Sequence, residues 1–369
     1  MRGVGGAALL CALAFAAPEA GEVPEAVRRA YRLDPFYAKY VDAGVPVVAS
    51  AKVPDAALLE AAWLIGRMLE GRGDILEAMA RRKVRCTVMA YTEMTTDVPG
   101  ERGLGAPAHL DRGARGLGAT ASRPCVSCAE ENLLGYPGDP YAAENILIHE
   151  FAHAVHEMGL DAKFDRRLRK AYAAAMEAGL WKGTYAATDH KEYWAEGVQS
   201  WFDTNRENDD EHNHVNTREE LKEYDPTLAG LVAEVYGDRP WRYVRPRDRA
   251  EPGHLAGHDP EKAPVFRWPD AVPEDEKELR RLPPKRERRQ VSKAGGPATS
   301  IRFVNRTEQS LEISWLDFEG KRRKYADLRP GAAHVQPTHA GHAWVVADPA
   351  GKVVALVVAV ATPGLVTLE

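Results

Sequence analysis

Beyond its opening stretch, the chain of 369 residues has no apolar run long enough to span a bilayer, so a later transmembrane helix is not expected. Cysteine is scarce, at 4 residues. No second C-x-x-C accompanies Cys125-x-x-Cys128, and no thioredoxin-like βαβ pattern surrounds it, which argues against a zinc knuckle and a redox motif. Basic excess is also lacking: the formal net charge is -5, so nucleic acid is not an expected partner.

The opening stretch is different. Arg2 precedes an apolar run through Ala7, Leu9, Leu10, Leu13 and Phe15, followed by Ala14-x-Ala16. This reads as a secretory signal peptide over residues 1–16, cleaved after Ala16, and implies a secreted or periplasmic protein. Leu10 stands before Cys11 where lipidation wants a small residue, so a lipid anchor is not expected. Cleavage leaves Cys86, Cys125 and Cys128, an odd count in a compartment that favours disulfides. A bridge from Cys86 to Cys125 or Cys128 is expected, with a local Cys125–Cys128 bridge as the rival.

From about 17 to 249 helical and extended patterns alternate. Residues 54–69 and 74–80 have helical periodicity, and residues 84–90 alternate like a strand. The Gly/Pro-rich span 99–124 reads as a loop lining a cleft. Residues 208–214 (NDDEHNH) read as a solvated loop, with ion binding by His212 and His214 as the sharper alternative. Asp225-Pro226 caps a helix that stops at Gly237. Residues 250–299, charged and Pro-rich, read as an exposed linker, and residues 300–369 carry short alternating strands of a small all-β sandwich.

His149-Glu150-Phe151-Ala152-His153 carries the chemistry. On a helix, H-E-x-x-H places two imidazoles one turn apart on one face with a carboxylate beside them, which suits zinc and a general base. Asp139-Pro140 is expected to start this helix and Gly159 to end it. A catalytic zinc needs a third protein ligand. The metzincin third histidine is missing, because His156 and Gly159 occupy those positions. A glutamate from the next helix remains. Residues 192–202 read as a helix starting near Thr188/Asp189, with Glu192 and Glu196 on one face. Glu192 is assigned to the metal and Glu196 to orienting His149 or His153, with the pair exchangeable. Asp189, His190 and Asp161 are weaker ligand candidates.

HEFAH, Tyr185 and the EYWAE of residues 192–196 resemble the anthrax lethal-factor-like branch of the gluzincin metallopeptidases, over residues 140–203. The resemblance implies an α+β zincin-like domain holding one catalytic zinc ion through His149, His153 and Glu192. In it Glu150 is the general base, and Tyr185 is the hydroxyl that steadies an oxyanion.

The C-terminal span has its own resemblance. FVNR, the turn of residues 315–320 (WLDFEG), Tyr325, L-R-P-G and the final G-H-x-W resemble the β domain of the von Hippel-Lindau tumour suppressor. That family's hydroxyproline pocket implies roles here for Trp315, Tyr325, Thr338, His339, His342 and Trp344. Thr338 stands for a serine and keeps its hydroxyl; His339 replaces a tyrosine at the rim. Together these readings give an exported zinc peptidase acting on a protein or peptide substrate, its tail domain docking hydroxyproline-containing protein. The competing class is a binding or adhesion protein whose zincin lobe holds zinc without cleaving.

Overall fold

The computed structural model describes residues 19–102, 111, 113–268 and 277–369; the expected signal segment and part of the Gly/Pro-rich loop lie outside them. No helix among these residues is long and apolar enough to cross a membrane.

The N-terminal region is a mixed five-stranded sheet covered by helices. The strands are β1 (Gly21–Glu22), β2 (Lys39–Asp42), β3 (Pro46–Ala49), β4 (Arg85–Met89) and β5 (Cys125–Ala129), in spatial order 1-2-3-4-5. β1 to β3 are antiparallel neighbours, whereas β3, β4 and β5 run parallel. After helix α1 (Glu25–Tyr31), α2 (Asp55–Met68) and α3 (Gly73–Arg81) make the β3-to-β4 crossover that a parallel pair requires. β3, β4 and β5 are buried almost throughout, so their Val, Ala and Cys runs lack polar alternation.

Short helix α4 (Glu130–Leu134) leads to α5 (Ile146–Ala154), which continues as a π-turn over Val155–Gly159. α5 begins six residues later than the Asp139-Pro140 signal suggests. Asp139 is consumed elsewhere, accepting from Tyr141 N and Asn132 Nδ2, and Asn145 caps the helix by accepting from Ile148 N at 3.0 Å. Asp161 caps α6 (Ala162–Glu177), and Asp189 caps α7 (His190–Trp201), accepting from Lys191 N and Glu192 N. α8 (Arg218–Tyr224) and α9 (Pro226–Tyr236) close the domain. At Gly197 a Cβ would lie 2.5 Å from Leu228 of α9, so the two helices meet where there is no side chain. Leu147, Ile148, Phe151, Trp194, Val198 and Trp201 are fully buried between α5, α7 and the sheet, each large side chain contributing roughly 1.5–3 kcal/mol.

The C-terminal region is a two-sheet sandwich. One sheet has the order β10 (Ala333–His339), β7 (Ala298–Asn305), β13 (Gly364–Leu368), β6 (Lys277–Glu278). The other has β12 (Val353–Val358), β11 (Ala343–Ala347), β8 (Leu311–Leu316), β9 (Arg322–Leu328). Ile301, Phe303, Val366 and Leu368 of the first meet Ile313, Val346 and Val357 of the second in one core.

Two expectations are adjusted. The described parts of the expected linker, 250–268 and 277–299, are mostly exposed, as expected, but they are tethered rather than free. Leu255 is buried in the N-terminal core, Phe266 N bonds to Pro137 O at 2.8 Å, and the buried carboxylate of Glu60 takes Arg249 and His254. Further on, Leu279 is buried in the sandwich and the Ser292 hydroxyl bonds to Leu316 O. A few well-spaced apolar anchors and one buried acid fix a stretch whose average composition looks solvated. The expected disulfide is also not formed: Cys86, Cys125 and Cys128 are buried free thiols. In register, Cys125 lies opposite Arg85 and Cys86 opposite Val126, so these two side chains face opposite sides of the sheet. Cys125 and Cys128, an odd number apart on one strand, also diverge. Cys86 and Cys128 share a face but are offset by two residues.

Candidate metal centre and C-terminal pocket

α5 and α7 bring three donor atoms together. His149 Nε2 lies 3.1 Å from His153 Nε2 and 3.2 Å from Glu192 Oε2, and His153 Nε2 lies 3.3 Å from the same oxygen. Four ligands around a tetrahedral zinc at about 2.0–2.1 Å stand roughly 3.3 Å from one another, so this triangle has the size a zinc ion requires. The donor set, two imidazoles and a carboxylate, suits the same ion. Trp194 Nε1 donates to Ala152 O at 3.0 Å and fastens the two helices between the ligands. Glu192 sits in the first turn of α7, its amide held by the Asp189 cap.

His149 Nδ1 faces the other way. It lies 2.7 Å from Gln199 Oε1 and 3.5 Å from Glu196 Oε1. Gln199 Nε2 donates to Glu144 Oε2 at 3.0 Å, which turns the amide oxygen toward the imidazole. The network makes Nδ1 the protonated nitrogen of His149 and leaves the Nε2 lone pair to the triangle. Glu196 therefore stands behind the ring, away from Nε2, and also takes Asn205 Nδ2 at 3.0 Å and His212 Nε2 at 3.3 Å. Gln199 is the nearer partner and was missed from the sequence. Positions 192, 196 and 199 are i, i+4 and i+7, a polar stripe on an otherwise buried helix that would have revealed it.

Charge at the centre is arranged for a cation. Burial works against an imidazolium at His149, but the Glu192 hydrogen bond and the Glu150 and Glu196 carboxylates outweigh it and raise its pKa. Burial works against the Glu192 carboxylate, yet the two imidazoles hold its pKa well below the usual range. Glu150 is not drawn into the triangle's hydrogen bonds, though its carboxylate lies within 4.8 Å of the donor nitrogens of His149 and His153. Burial raises its pKa, against the opposing pull of His149 and His153.

His149, Glu150 and Tyr185 line a cleft of about 300 Å³ whose opposite wall is Gly113 to Leu117. This wall is the described end of the Gly/Pro-rich loop. Leu117 pairs antiparallel with Ser127 of β5, and Arg115 anchors the segment through Glu131 at 2.5 Å. At Gly118 a Cβ would lie 2.8 Å from His153 Cβ and 3.3 Å from Glu150 Oε2, so only glycine lets the wall approach the centre. Tyr185 stands at the rim, 39% exposed, its ring 6.4 Å from that of His149. Burial, with Glu192 and Glu150 nearby, raises its pKa and keeps the phenol protonated. The span 208–214 is a largely exposed loop, as expected, but its His212 is buried against Glu196, and Glu211 O accepts from Tyr185 N at 2.7 Å. Arg206, which the sequence did not single out, adds a cation to the cleft wall. Asp161 and Asp189 serve as helix caps, and His190 turns toward Asp165 rather than the triangle.

In the sandwich, Trp315 and Trp344 are register partners on β8 and β11. Trp344 is buried, and its Nε1 donates to Thr338 Oγ1 at 2.9 Å. Thr338 Oγ1 lies 3.2 Å from His342 Nδ1. Thr338 thus links the Trp344 indole to His342 Nδ1 and leaves His342 Nε2 out of that contact. Burial, then His339, lowers the His342 pKa and keeps that ring neutral. Tyr325, 55% exposed, meets Trp344 edge-on at 5.1 Å. Exposed Phe318 meets Trp315 in the same way at 5.2 Å, an aromatic the sequence left unassigned. His339 turns its Nδ1 to Gly296 O at 3.2 Å and stands at the edge, 5.3 Å from the His342 ring.

Residues 291–359 match the family model of the VHL beta domain. Among solved structures, the chain is similar to the PRO-PRO endopeptidase PPEP-2 from Paenibacillus alvei. That similarity is 18% identity over 52% of this chain and 96% of that one, with a TM-score of 0.30. No curated protein matches.

Proposed function

We propose that this chain is an exported, zinc-dependent peptidase of zincin type. In this reading His149, His153 and Glu192 hold the ion, Glu150 is the general base, and Tyr185 donates to the oxyanion. The observation that carries it is the triangle of donor atoms 3.1–3.3 Å on a side, with the half-buried Glu150 carboxylate beside it in an open cleft. Bound zinc supplies a polarised carbonyl and a water of lowered pKa. Glu150 takes the proton of the attacking water and delivers it to the departing amide nitrogen. The protonated Tyr185 hydroxyl offers a hydrogen bond that strengthens as negative charge grows on the carbonyl oxygen. Gln199 holds His149 in the tautomer that presents Nε2.

The test is digestion of a peptide library by the wild-type chain and by Glu150→Gln, each with and without chelator. Wild type cleaves, chelator stops it, and the variant keeps its zinc while losing roughly 100- to 10,000-fold in rate. Undiminished hydrolysis by Glu150→Gln removes the base from the scheme; zinc retention without cleavage by wild type leaves the binding-protein reading.

The tail domain is proposed to hold hydroxyproline-containing protein near the cleft, raising its effective concentration. Trp315 and Tyr325 offer aromatic surface that suits a pyrrolidine ring, and His342, engaged by Thr338 through Nδ1, keeps Nε2 for a ring hydroxyl. Calorimetry on full-length Glu150→Gln, which spares the ligand, should show tighter binding of a hydroxyproline peptide than of its proline twin. Equal affinities would dispose of the idea.

A further inference from the structure

The HExxH helix does not end at the triangle. His156, in the π-turn that follows, points its Nε2 at Asp165 Oδ1 of α6, 3.0 Å away. His190, the first residue of α7, brings its Nε2 to 3.4 Å from that same oxygen. The three ligand atoms lie within 4.8 Å of one another, and the two rings stand at 89° with centroids 5.7 Å apart. Both imidazoles are buried, His156 at 5% and His190 at 8% exposure. His190 Nε2 is closed off from solvent, aims at Asp165 and makes no hydrogen bond; His156 Nδ1 is also unpartnered. Asp165 is the open side of the cluster, about a third exposed. Its second oxygen is held by Arg169 Nε at 2.8 Å, which fixes the carboxylate and leaves Oδ1 to the two rings.

Two imidazoles and one oriented carboxylate from three separate elements, with a solvent-facing fourth side, form a zinc donor set. A π-turn is also a frequent place for a functional group, because it displaces a side chain from the regular helical face. We propose that His156, Asp165 and His190 bind a second zinc ion, distinct from the one at the triangle, which clamps the end of the HExxH helix and α6 to the start of α7. Since Glu192 lies two residues after His190, the clamp would set the position of the carboxylate proposed to hold the first ion, without touching substrate.

The test is metal analysis of the full-length chain after exhaustive dialysis against metal-free buffer. Wild type should carry about two zinc ions, Asp165→Asn about one, and a His149→Gln/His153→Gln variant about one. A wild type with a single ion that Asp165→Asn retains overturns the second site and leaves the triangle intact. A single ion retained by the His149/His153 variant but lost by Asp165→Asn supports the second site and removes the first. Should Asp165→Asn fail to fold, cobalt(II) is titrated into the His149→Gln/His153→Gln variant. One equivalent producing the intense visible absorption of a tetrahedral site supports the clamp, and its absence overturns it.

Discussion

Replacing Gln199 separates the chemistry of the centre from its stability. The side chain performs two tasks at once: Oε1 accepts from His149 Nδ1 at 2.7 Å, and Nε2 donates to the buried Glu144 at 3.0 Å. Gln199→Leu removes both. Loss of such an outer partner lowers metal affinity about 10- to 100-fold, equivalent to about 1.4–2.7 kcal/mol. Stripping the donor from Glu144, whose pKa burial already raises despite Gln199, costs a further ~1–3 kcal/mol of stability. Gln199→Glu keeps an acceptor for His149 but loses the donor, so it should retain zinc affinity while melting earlier. Competitive titration of zinc against a chromophoric chelator reads the affinity, and thermal unfolding of the metal-free protein reads the stability. Zinc binding by Gln199→Leu within threefold of wild type, or equal losses of affinity in both variants, would refute this role for Gln199.

Gly118→Ala should reduce the rate of peptide hydrolysis about tenfold or more while leaving zinc in place, because its methyl would press on His153 and Glu150; unchanged kinetics would show that the wall yields freely. Glu130 has its pKa raised to about 7, chiefly by burial, with its Oε2 lacking a partner. A raised carboxylate pKa favours folding in acid, and that contribution fades as pH rises from about 4.5 to 7. Relative to Glu130→Gln, wild type should lose up to about 3 kcal/mol across that window, and parallel denaturation curves at both pH values would contradict this. Denatured, unreduced protein beginning after Ala16 should titrate as about three thiols, whereas any intramolecular disulfide would leave about one.

Much of the centre was legible because its chemistry is local. H-E-x-x-H and the Asp189 cap fix two helices from neighbouring residues alone, and one turn of α7 carries Glu192. The parts that escaped depend on long-range contacts. Asp139 looks like a cap until Asn132, seven residues back, engages its carboxylate. The odd separation of Cys125 and Cys128 excludes a local bridge once both lie on one strand, yet the faces of Cys86 and Cys125 require the register of β4 against β5. Strand β9 passes unnoticed because it is an exposed edge with charge at most positions. Residues 250–299 mislead for the opposite reason: composition averages over Leu255, Phe266 and Leu279, the few residues that fasten the chain.

The most direct measurement is anomalous diffraction above and below the zinc absorption edge from crystals of the full-length chain grown with zinc. The expected result is an edge-dependent peak bounded by His149 Nε2, His153 Nε2 and Glu192 Oε2. A map with no peak there, or with Glu192 turned away from the two rings and no other donor in its place, would contradict it.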